Sequence, residues 1–181
     1  SSDERARTKI LAAVAELQVA AIPVYSRLAA ARMRVDPDAV AALPTDVFRM
    51  TRVAMHAPED DVRLFRTSGT TSGERGSHAF RDLSLYDRAA GREARRMLFP
   101  DCDRMRLVIV APSARDANDS SLSYMLARFV DWFGAHSVYG FRDGALDVSA
   151  VVRGLREAEA AKEPVAILGT SFAFVHLEDA L

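Results

Sequence analysis

Arg104-Met105-Arg106-Leu107-Val108-Ile109-Val110-Ala111 is the stretch whose reading decides the fold. It ends in a compact apolar run of the kind a buried strand carries, and Pro112 marks its end. Working outward, Leu122 to Phe133 reads as a helix that Gly134 stops. Ser137-Val138-Tyr139-Gly140-Phe141 reads as a short strand before an Asp143-Gly144 turn. Residues 147–161 return to helical spacing through Val148, Val151, Val152, Leu155 and Ala158. Val165-Ala166-Ile167-Leu168-Gly169 reads as another buried strand, and Thr170-Ser171 as the cap of a last helix from Phe172. On the N-terminal side, residues 82–98 give a helix with Leu83, Leu85, Tyr86, Ala89 and Ala90 as its apolar surface. Asp61 to Thr67 gives a strand. Short strands separated by helices predict an α/β fold, layered, with a largely parallel sheet and flanking helices.

Further upstream, residues 4–32 carry Ile10, Leu11, Val14, Leu17, Ala21, Val24, Tyr25 and Leu28 at helical spacing. They predict a core-facing stripe that Pro23 kinks or divides. Between Asp36 and Asp61 the pattern breaks. Ala39 to Leu43 suggests one short helical piece, and Leu43-Pro44-Thr45-Asp46-Val47-Phe48-Arg49 a turn with a short helix or extended segment.

The chain has 181 residues, which predicts one domain with at most a small appendage at about 150 residues per domain. Hydrophobic residues make up 49%, enough for a real core and too many for a wholly disordered chain. Lys and Arg total 24 against 25 Asp and Glu. That balance excludes a strongly polybasic nucleic-acid arm but not a local phosphate site, which a few backbone donors can make. The one cysteine, Cys102, excludes an internal disulfide and a thiolate zinc cluster. Its acidic neighbours Asp101 and Asp103 disfavour a thiolate, which argues against a nucleophile. The sequence spacing of His56, His78, His136 and His176 gives no close metal pair such as His-x-x-x-His, though distant residues can still converge in the fold. No apolar run approaches the ~20 residues of a membrane-spanning helix. The first residues have the wrong charge order for a secretory signal, so the expected location is cytoplasmic.

Phe65-Arg66-Thr67-Ser68-Gly69-Thr70-Thr71-Ser72-Gly73-Glu74-Arg75-Gly76 carries the chemistry. Glycines let the backbone turn tightly and approach a ligand without a Cβ clash. Hydroxyls and backbone N–H groups can surround phosphate oxygens, and Arg75 can offset their charge. The stretch differs from the usual P-loop, Gly-x-x-x-x-Gly-Lys-Ser/Thr, and from the Gly-x-Gly-x-x-Gly dinucleotide signature. Taken alone, the composition also fits a surface turn rich in small residues.

Residues Thr67 to Arg75 resemble the phosphate-loop signature of adenylate-forming enzymes. Ser68, Gly69, Thr70, Thr71 and Ser72 match its central positions, and Arg75 matches a terminal basic position that is often lysine. Glu74 stands where the family has a small or apolar residue, frequently proline. A closer resemblance is to the acyl-protein synthetase (LuxE-like) family. It runs through Leu43 to Arg49, the loop, Ser77-His78-Ala79-Phe80-Arg81-Asp82, Asp119-Ser120-Ser121-Leu122 and Ile167 to Phe174.

The helical spacing gives an N-terminal helical segment over 1–40, and over 41–181 the resemblance implies part of an α/β ATP-binding and adenylation region. This is the N-terminal portion of the adenylate-forming fold, with a further C-terminal region expected. It implies ATP and Mg2+ as cofactors and a carboxylic acid, such as a fatty acid, as substrate. Thr67, Ser68, Gly69, Thr70, Thr71, Ser72, Gly73 and Arg75 would bind the nucleotide, with Thr70 and Arg75 assisting the chemistry. An acyl-accepting reductase or carrier protein would be the partner. The lysine, ribose-binding aspartate and acyl-accepting cysteine of such enzymes would lie in the later region.

Other residues carry two readings each. His78 can line a nucleotide or acyl pocket, or be held structurally. Asp119, Ser120 and Ser121 can line a substrate loop, or turn and cap the helix at Leu122. Gly169, Thr170 and Ser171 can approach a ligand, or cap the helix at Phe172. Phe129, Trp132 and Phe133 favour core packing over an acyl tunnel. Two other functions stay open beside the ligase: a nucleotide-binding module without ligase activity, and a non-catalytic interaction fragment.

Overall fold

The computed structural model describes residues 2–33, 42–68 and 73–180. The chain divides into two compact units, Ser1–Asp82 and Leu83–Leu181. Together they form a mixed α/β chain of short parallel and antiparallel sheets with several helices. The expected boundary near residue 40 and the helical piece beginning at Ala39 fall outside the described residues.

In the first unit, helix α1 (Ser2–Ala21) and helix α2 (Pro23–Met33) meet at a 119° bend. Pro23 has no N–H to continue α1, but its fixed φ suits the first position of α2. The expected core-facing stripe is not realised along α1: Ile10 is 64% exposed and Leu17 58%, and Leu11 and Val14 are exposed as well. Full burial starts at the bend, with Ile22, and continues at Tyr25 and Ala29; these pack with Leu43 and Val53. Alanine spacing and leucines form the helix, but the bend carries its N-terminal length away from this cluster. A 3-10 turn (Pro58–Asp60) leads to strands β1 (Arg63–Arg66) and β2 (Ser77–Phe80), with helix α3 (Val47–Met50) against β2. The strands pair antiparallel, Phe65 opposite His78 and Arg66 opposite Ser77.

The second unit holds the sheet read from Arg104–Ala111. Strand β3 (Met105–Val110) lies between strand β4 (Gly134–Tyr139) and strand β7 (Val165–Gly169), all parallel. Every residue of β3 is buried, as expected for a central strand covered on both faces. Met105, Leu107 and Ile109 face helix α4 (Ser84–Met97) and helix α5 (Ser121–Phe133), joining Phe99, Phe129 and Phe133. Val108 and Val110 face the opposite way, toward Val151 of helix α6 (Val148–Ala161) and Leu177 of helix α7 (Ser171–Ala180). Strands β5 (Phe141–Arg142) and β6 (Ala145–Leu146) form a hairpin through the expected Asp143-Gly144 turn. Both turn residues take positive φ, 51° and 80°, as a two-residue hairpin turn requires.

The central strand also carries a charge. Arg106 is 8% exposed. It donates from Nη1 to Glu157 Oε2 at 2.8 Å and from Nε to Glu163 Oε2 at 3.2 Å. The two carboxylates leave the buried guanidinium paired, which its burial demands.

Candidate functional site

The hydroxyl- and glycine-rich loop connects β1 to β2 and so forms the head of an antiparallel hairpin. The strand before it, β1, is the expected one, whereas Ser77–Phe80 after it is a strand that the sequence pattern did not mark. Two short runs around a glycine-rich stretch were the signal for such a hairpin.

Of the residues expected to hold nucleotide, Thr67, Ser68, Gly73 and Arg75 are described. Gly69, Thr70, Thr71 and Ser72 lie outside the described residues. The neck is closed from both sides. Thr67 N–H donates to the Gly76 carbonyl at 2.9 Å, and Gly76 N–H donates to Thr67 Oγ1 at 2.8 Å. Arg75 Nε donates to the Thr67 carbonyl at 2.7 Å, so the guanidinium stands at the neck. Gly73 has φ +75°, and a Cβ placed there would meet nothing within 4 Å. Backbone conformation, not crowding, is therefore what asks for glycine.

Helix α3 supports the hairpin. Phe48 stacks on His78 with ring centroids 4.3 Å apart. His78 thus has a structural contact and also lines a cleft of about 270 Å³ with Ile22, Met55 and Phe80. A second cleft of about 310 Å³ is lined by Leu64, Ser77 and Ala79 of the hairpin and by Arg49, Thr51 and Arg52. Its polar wall was not foreseen. Asp61 accepts from Arg52 through both carboxylate oxygens, at 2.7 and 2.8 Å, and its Oδ1 lies 2.8 Å from His56 Nε2. The Arg52 hydrogen bond holds the Asp61 carboxyl below its ordinary value; partial burial opposes this and the His56 bond adds to it.

In the second unit, Ser120 Oγ accepts from Ser123 N–H at 3.1 Å, and Thr170 Oγ1 from Ala173 N–H at 3.2 Å. Both are helix caps, as one of their two readings had it. They follow the carboxyl ends of neighbouring strands β3 and β7, whose chains leave toward opposite faces of the sheet. Open α/β sheets bind ligands at such a switch point. Phe129 and Phe133 are buried in the core with Phe99, and Trp132 packs against that core beneath Arg128. Cys102 Sγ donates to the Arg104 carbonyl at 3.1 Å.

Among the described residues no group of three or more His, Cys, Asp or Glu side chains is placed to hold a metal ion. Mg2+ that arrives with a triphosphate is held largely by phosphate oxygens and water, and needs no dedicated protein cage. The chain matches no family model, no curated protein and no solved structure.

Proposed function

We propose that this chain is the phosphate-loop portion of an adenylate-forming enzyme of the acyl-protein synthetase type. It binds ATP and takes part in activating a carboxylic acid, a fatty acid being the substrate class the resemblance names. A carboxylate oxygen attacks the α-phosphorus, the bond to the β-phosphate breaks, and pyrophosphate leaves. A thiolate then takes the acyl group and AMP departs, with the thiol and the acceptor protein contributed beyond these residues.

The observation that carries this reading is the closed neck under the loop. Thr67 and Gly76 hold together the two ends of the stretch that carries the hydroxyl and glycine residues. A connection whose ends are already held together has less conformational freedom to lose when it orders around a ligand. Arg75 adds positive charge at the same place. Bound Mg2+ would neutralise part of the phosphate charge.

The test is ATP–pyrophosphate exchange by the full-length protein across a panel of carboxylic acids. Exchange that depends on a carboxylate supports the ligase. ATP binding without exchange leaves a nucleotide-binding module instead. A folded protein that binds no ATP overturns the reading. Thr70→Val and Arg75→Gln should each raise the KM for ATP.

A further inference from the structure

We draw no further inference here: the strongest candidate, the edge of the apolar strand β7 left open among the described residues, with the exposed Phe172 and Val175 of α7 that follows it, carries nothing because nothing in the structure shows what covers it.

Discussion

Thr67 and Gly76 grip each other across the base of the loop: each backbone N–H donates to the other residue, one to a carbonyl and one to a side-chain hydroxyl. Thr67 was expected to face phosphate, yet its Oγ1 accepts from the backbone. The two roles are compatible, because a hydroxyl can accept one hydrogen bond while donating its own proton to another acceptor.

Thr67→Val keeps the side-chain shape and removes the acceptor. Gly76 is buried, so its N–H would be left without that partner, at a cost of about 1–3 kcal/mol. Thr67→Ser should keep most of the stability. Urea unfolding of the three proteins checks this. Equal stability of Thr67→Val and wild type would show that the neck is not held by this bond.

The Asp61 cluster sets a pH dependence. Its carboxyl titrates below the ordinary value of 3.8 in the folded chain, chiefly because Arg52 hydrogen-bonds to it. A depressed carboxylate contributes stability that is fully present above the unfolded pKa and is lost as pH falls through the folded one. The first unit should therefore weaken below about pH 4. Asp61→Asn should be less stable at neutral pH and should lose less between pH 5 and pH 2. Acid titrations followed by circular dichroism make the comparison. Parallel curves for the two proteins would remove Asp61 as a source of the acid sensitivity.

Arg106 tests how the sheet tolerates charge. Arg106→Met leaves Glu157 and Glu163 facing each other without their cation. Removing one member of a buried pair costs about 3–5 kcal/mol. Glu157 is half exposed, so water softens its side and the lower end is expected. Reversing the loss by also changing Glu157→Gln and Glu163→Gln would show that stranded charge, not lost packing, is responsible. Chemical unfolding of the single and triple variants separates the two.

The second unit was readable because its signals are local and redundant. Val108, Ile109 and Val110 form an unbroken apolar run, Asp143-Gly144 names its turn, and Thr170 announces its helix. Arg106 was not readable as a buried ion pair, because its partners lie more than fifty positions away. The stripe of α1 misled for a different reason. Helical spacing shows which residues share a face, but the 119° bend decides whether that face meets a core. In the candidate site, the loop stands out by its residue types alone. The strand Ser77–Phe80 was missed because four residues give little alternation, and its pairing with β1 is tertiary. The Arg52–Asp61–His56 cluster has no spacing that distinguishes it from ordinary surface charge.

Ser120 and Thr170 carry the last prediction, since each was open to a capping or a ligand-binding role. Each hydroxyl oxygen accepts from the N–H three residues on. Alanine at either position should cost about 1 kcal/mol through the lost cap. Aspartate restores a capping acceptor and adds a negative charge that favours a helix N-terminus. If capping is the whole role, Ser120→Asp and Thr170→Asp should match wild type in unfolding and leave the KM for the carboxylic acid unchanged. A residue that also meets an anionic substrate at the switch point would behave otherwise. The introduced carboxylate would repel that substrate and raise the KM while stability stayed whole. Steady-state kinetics of the full-length protein, set beside the unfolding curves, separates the two.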